Sequence, residues 1–178
     1  MQNGTSLLYN RRCFGYRKNE DGTLEICPEE AEVVRLIFDF YLRGGSILSI
    51  IKELENRQIQ TPSGKKKWCT QTVVKILTNE KYIGNVLLKK TYTDEFPNRK
   101  RRNNCGEKDQ YLAEQLHPEI ISKEIFDAVQ IERQRRSNVV IDENGEKKRA
   151  GKRYYSKIMS ETDIEPFYGT LDYSSYSE

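Results

Sequence analysis

The sequence is poor in residues that hold metals or run redox chemistry. Its one histidine, His117, and its four cysteines, Cys13, Cys27, Cys69 and Cys105, are scattered with no CxxC pair, so no zinc-ligand set of usual spacing is present. Reduced, buried or incidental thiols and no cofactor are the expectation. No apolar run approaches the roughly 18 to 20 residues that a membrane span needs. The opening MQNGTSLLYN has neither the charged start nor the long apolar core of a signal peptide. These absences predict a soluble cytoplasmic protein with no membrane partner. Hydrophobic residues make up only 36% of the 178, enough for one core of ordinary size and an argument against a second.

Catalytic groupings are also missing. Ser6 beside Arg11 and Arg12 could be cast as a nucleophile with phosphate clamps, but no general base or supporting motif accompanies it. His117 is followed by Pro118 with no Cys or Asp at a recognisable spacing, which favours a turn or packing role. An acid cluster of the kind a nuclease or phosphotransferase needs is not found.

What the chain has is positive charge concentrated in one stretch. The formal net charge is only +3, yet from Arg57 to Arg102 twelve basic residues face only Glu80, Asp94 and Glu95. A stretch so one-sided repels itself unless a polyanion compensates it, as on a surface that tracks phosphates. A face kept only for solubility usually mixes the signs more evenly.

Hydrophobic spacing gives an α+β fold: a small helical core with a helix-turn-helix-like pair, a β-hairpin and a C-terminal helix. FGYRKNEDGTLEI places apolar residues on either side of Asp21-Gly22, the turn chemistry of a small hairpin. Pro28, Glu29 and Glu30 suit a first helical turn, and Val34, Ile37, Phe38 and Tyr41 mark one helical face, with Ala31, Val33, Leu36 and Phe40 widening it. Gly44-Gly45 ends this helix and Ser46 caps a second, with Ile47, Ile50, Ile51 and Leu54 on its apolar side. QIQTPSGKKKW reads as a loop whose Trp68 anchors it against the preceding helix. Thr70 is expected to cap a third helix, with Val73, Ile76 and Leu77 facing inward. A strand within Ile83 to Tyr92 pairs with Tyr111 to Leu116 across a long polar loop carrying Arg99, Lys100, Arg101 and Arg102. A last helix starts near Ser122, with Ile125, Phe126 and Val129 on one face and Arg133, Arg135 and Arg136 at its negative end. After Asn138 the pattern decays, so 139–178 reads as a loosely ordered polar tail or an incomplete following module.

The second and third helices suggest a helix-turn-helix reader of double-stranded DNA, although the connection from Arg57 to Thr70 exceeds the usual turn of three or four residues. Lys65, Lys66 and Lys67 would flank the third helix's N-terminus, whose free N–H groups also favour phosphate. Thr70 opens that helix, while Gln71, Thr72 and Lys75 face either base edges or phosphates. Arg99 to Arg102 read as a charged loop or as an arm lying in a groove, the arm being favoured.

Four separated blocks carry a family resemblance: FGYRKNEDG, EEAEVVRLIFDFYLRGGSILSIIKELENRQIQTPSGKKKW, TQTVVKILTNEKYIGNVLLKKTYT and HPEIISKEIFDAVQIERQRRSN. In that order, over about residues 13 to 138, they resemble the recombinase domain of the large serine recombinases, which include phage integrases and transposon resolvases. The resemblance implies a full-length protein with an N-terminal catalytic domain bearing a serine nucleophile, then this domain, then a zinc ribbon with a coiled coil. It also implies DNA attachment or resolution sites, and other recombinase subunits, as partners. Residues 1–12 would then end an interdomain linker. Neither the family's catalytic motif nor its CxxC pairs appear here, so a non-catalytic fragment is expected. A free-standing helix-turn-helix transcriptional regulator is the alternative, lacking a visible dimerisation or ligand domain.

Overall fold

In the computed structural model, residues 12–20, 23–95, 97, 99–104, 106–141 and 147–149 are described. The Asp21-Gly22 turn, Ser6, Arg11, Cys105 and the chain from 150 onward fall outside them. Composition points to a single core, but the chain forms two compact units. Among the described residues, the first comprises those up to 34 and 79–122, the second 35–78 and those from 123 onward. The polypeptide therefore passes from first to second, back to the first, and again to the second.

The first unit opens with the expected hairpin, β1 (Tyr16–Lys18) antiparallel to β2 (Leu24–Ile26), with Tyr16 opposite Ile26. Helix α1 (Pro28–Leu42) begins in this unit, where Ala31 and Val34 are fully buried. A 3-10 turn, Glu80–Ile83, brings Tyr82 into the core, stacked on Tyr16 at 6.2 Å between ring centroids. The Tyr16 hydroxyl donates to the carbonyls of Lys81 (3.1 Å) and Pro118 (2.9 Å), tying residues a hundred positions apart. His117 is buried edge-on to Tyr16, its Nε2 2.6 Å from the Lys81 carbonyl oxygen, so its role is packing, and burial lowers its pKa. Gly84 needs its lack of a side chain: its φ is +76°, and an added Cβ would lie 2.8 Å from the His117 carbonyl oxygen.

The expected long strand pair is present but shorter and interrupted. β3 (Val86–Leu88) pairs with β6 (Tyr111–Ala113), and the loop between them folds into a second antiparallel pair, β4 (Thr91–Thr93) with β5 (Arg101–Asn103).

In the second unit, the rest of α1 buries Ile37, Phe38 and Tyr41. Gly44 ends the helix at φ +90°, and the Ser46 hydroxyl accepts the Ser49 N–H at 3.1 Å to cap α2 (Ile47–Asn56) as expected. Helix α3 (Thr70–Leu77) buries Val73, Ile76 and Leu77, and α4 (Lys123–Arg136) buries Ile125, Phe126 and Val129. The Arg136 guanidinium lies 4.1 Å from the Tyr41 ring centroid and donates to the Tyr41 (2.8 Å) and Gly45 (2.7 Å) carbonyls. Beyond α4, β7 (Val139–Ile141) pairs antiparallel with β8 (Lys147–Arg149).

Candidate nucleic-acid interface

In the second unit a stapled loop, residues 57–69, delivers three lysines to the start of α3. Two local devices fix it. The Thr61 hydroxyl accepts the Lys65 N–H (2.9 Å) while the Thr61 N–H reaches the Lys65 carbonyl (2.9 Å), closing a tight turn with Gly64 at φ +74°. Trp68 is buried, donating its backbone N–H to Glu55 on α2 (2.9 Å) and its indole N–H to the Ile59 carbonyl (2.8 Å). The tryptophan is thus the core anchor its position implies. Between these two fixed points Lys65, Lys66 and Lys67 are exposed, with no ion-pair partner among the described residues.

The expectation that Thr70 caps α3 is corrected. Cys69 occupies the N-cap with extended backbone, makes no side-chain cap bond, and leaves Thr70 as the first helical residue. The start is held instead by backbone bonds from the Thr72 and Val73 N–H groups to the Cys69 carbonyl, and by a 3.0 Å contact between Cys69 Sγ and Thr72 Oγ1. The Thr72 hydroxyl, with help from the Thr72 and Gln71 N–H groups and the Lys75 charge, lowers the pKa of the exposed Cys69 thiol. Thr70, Gln71 and Lys75 are exposed, whereas Thr72 is half-buried with its hydroxyl engaged. Gln71 and Lys75, four residues apart, share one outer face of the helix.

In the first unit the other basic cluster is shaped by strands. Arg101 and Arg102 lie in β5 opposite Thr93 and Tyr92, so they are part of a ladder and not of a free arm. Arg101 donates to the Thr91 hydroxyl (3.0 Å) and Arg102 pairs with Asp94 at 2.6 Å. Arg99 and Lys100 sit at the tip, exposed and without an ion-pair partner among the described residues; Arg99 has φ 41°. The ribbon's shape is set by Asn104, 6% exposed, which sequence reasoning missed. Its amide donates to the Lys89 (3.0 Å) and Lys108 (2.6 Å) carbonyls, and its Oδ1 accepts the Gly106 (3.2 Å) and Lys108 (3.0 Å) N–H groups. A single buried side chain thus clamps the loop between β5 and β6. Its only sequence signal was an Asn next to a Cys-Gly, which is common in ordinary turns.

Of the expected site residues, then, Lys65, Lys66, Lys67, Thr70, Gln71, Thr72 and Lys75 come together around one helix start. Arg99, Lys100, Arg101 and Arg102 form a separate group on the other unit. Among the described residues no group of three or more His, Cys, Asp or Glu could hold a metal, and no described helix is long and apolar enough to cross a membrane.

A family model described as Recombinase matches residues 28–136. A curated Bacillus subtilis (strain 168) protein named "Putative DNA recombinase" is 32% identical over 84 residues, which are 44% of this chain and 17% of that protein. A solved LSR–DNA complex is similar over 72% of this chain and 34% of its own, at 28% identity and a TM-score of 0.51. A second solved structure, described as "Sequence Requirements of the Listeria innocua prophage attP site", covers 70% of this chain and 42% of its own at 27% identity, with a TM-score of 0.47. The chain thus spans less than half the length of these relatives. From the start of α1 to the end of α4, the chain belongs to the Recombinase family.

Proposed function

We propose that this chain is the DNA-gripping part of a site-specific serine recombinase, working in the cytoplasm on a double-stranded attachment or resolution site. The observation that carries the reading is the set of exposed Lys65, Lys66 and Lys67, without an ion-pair partner among the described residues, held ahead of α3, whose outer face shows Gln71 and Lys75. Lysines against a helix start suit phosphates, and a glutamine and a lysine one turn apart on the same helix suit base edges in a major groove. Arg99 and Lys100 would add phosphate contacts from the ribbon tip, with Arg101 and Arg102 behind them. The similarity to an LSR–DNA complex supports this reading. Strand cleavage is assigned to other parts of a full-length recombinase and its partner subunits, because the described residues offer no nucleophile paired with a base.

The test is salt-dependent binding of duplex DNA by the parent chain and by Lys65→Ala/Lys66→Ala/Lys67→Ala. Each lost phosphate contact should reduce the slope of log affinity against log salt by about 0.9. An unchanged slope would remove the lysines from the interface. Gln71→Ala should cost about 1 to 3 kcal/mol at one base position if its contact is bidentate, read out by selecting sites from a random DNA library. Supercoiled plasmid incubated with the chain should stay intact.

A further inference from the structure

We infer that Gln130 of α4 is a positioning residue that sets the orientation of α3, and thereby tunes which bases are read without touching DNA. This rests on the reading of α3 as the recognition helix.

A helix leaves its last four carbonyls without partners of its own. In α3 three of them are served by the next residue. The Thr78 hydroxyl donates to the Val74 carbonyl (2.8 Å) and more weakly to that of Lys75 (3.4 Å), and the Thr78 N–H goes to Ile76. The fourth, Leu77, is bonded from another element: the Gln130 side-chain amide donates to it at 2.8 Å. That amide is itself oriented, because its oxygen accepts from Arg133 at 2.7 Å and its nitrogen lies 3.4 Å from the Phe126 carbonyl. Gln130 is half-buried on α4, and α4 is anchored by Arg136 to the corner between α1 and α2.

Ahead of α3 the chain is tied by the Trp68 hydrogen bonds to Glu55 and Ile59, and along the helix itself Val73, Ile76 and Leu77 are held by apolar packing. Such packing is non-directional and tolerates roll about the helix axis. At the outer radius of a helix, about 5 to 6 Å, a roll of roughly 10° moves a side-chain tip by about 1 Å. Paired base contacts tolerate about 0.5 Å, so with the near end tied through Trp68, a directional bond at the far end of an eight-residue helix fixes the roll that sets the register of Gln71 and Lys75. The lysines before α3 are held by their own staple to α2 and should not feel the change.

The experiment uses the whole chain with Gln130→Met, which keeps length and removes the donor, and Gln130→Lys, which restores a donor to a helix-terminal carbonyl. Gln71→Ala and Lys75→Ala report on the reader itself. Binding sites are selected from a random DNA library, and specific and non-specific affinities are measured across salt. Gln130→Met should lower the ratio of specific to non-specific affinity by about tenfold and blur the selected site, with the salt slope unchanged. Gln130→Lys should recover most of the ratio. If Gln71→Ala and Lys75→Ala change the site while Gln130→Met leaves it intact, the positioning role is refuted and the reader stands. If neither reader variant changes the site, both readings fall together. Should Gln130→Met lose its fold by circular dichroism, Gln130→Lys with parent-like stability must reproduce the parent site, and a blurred site there refutes the inference.

Discussion

Arg136→Met tests how the second unit is held. The side chain is 8% exposed, its guanidinium donates to two backbone carbonyls, stacks on Tyr41 and pairs with Glu132 at 2.6 Å. Methionine keeps the aliphatic stem and the helix propensity, so the loss is polar. The Tyr41 carbonyl retains the Gly44 N–H at 3.2 Å, but that of Gly45 loses its side-chain donor. Hydrogen bonds to a charged group contribute about 1.5 to 3 kcal/mol each and a cation over an aromatic face about 1, so with partial recovery by water the cost should be about 3 kcal/mol. Urea denaturation followed by circular dichroism measures it. The pH profile separates this cause from a general loss of packing. Burial alone would raise the Glu132 pKa, but hydrogen bonds from Arg135 and Arg136 outweigh it and hold the carboxyl below its ordinary 4.5. The unfolded chain therefore takes up the proton first, so the Glu132 contribution is full above pH 4.5 and disappears as pH falls through the depressed value. Arg136→Met should flatten that acid limb. A loss under about 1 kcal/mol with an unchanged acid limb would refute the account, since a removed buried partner ordinarily costs more.

Other outcomes follow from the same geometry. Gly84→Ala should destabilise by about 2 kcal/mol or more in the same urea assay, because the positive φ and the 2.8 Å approach of the His117 carbonyl add their costs. Asn104→Ala should speed hydrogen exchange of the Gly106 and Lys108 amides by at least tenfold while leaving the backbone amides of α2 unchanged, since its bonds serve the ribbon alone. Trp68→Phe keeps the apolar body but leaves the Ile59 carbonyl without its indole donor, a loss of about 1 to 2 kcal/mol, with DNA affinity weakened by the looser lysine staple. Stability should also fall as pH drops below 6.5, because buried His117 resists protonation while the unfolded chain does not.

The helices were legible because their signals are local. Val34, Ile37, Phe38 and Tyr41 repeat at helical spacing, Gly44 stops the run, and Ser46 supplies the next cap. The start of α3 was misplaced by one residue because Thr70 is the better capping side chain, whereas the cap position went to Cys69, which caps only through its carbonyl. The ribbon was illegible for a different reason. Arg101, Arg102 and Asn103 have no alternation of apolar and polar residues, and their strand is specified by Asn104 bonding back to residues 89 and 108. For the candidate site, charge density pointed to Lys65, Lys66, Lys67, Arg99 and Lys100, which the structure leaves exposed. It could not tell that Arg102 already has Asp94 for a partner or that Thr72 spends its hydroxyl on Cys69.

The alternation of the chain between its two units has a consequence for the order of synthesis. Tyr16 emerges early but finds its carbonyl partner in Pro118 only a hundred residues later, and Tyr41 waits almost as long for Arg136. A nascent chain released after residue 118 could close the first unit while the second still lacked α4. Closure over such sequence distances is slow, and the helix carrying Gln71 and Lys75 gains its last tie when Gln130 arrives. In the order of translation the turn that holds Lys65, Lys66 and Lys67 can close well before Gln130 reaches α3, so on the proposed function phosphate affinity would come before sequence preference.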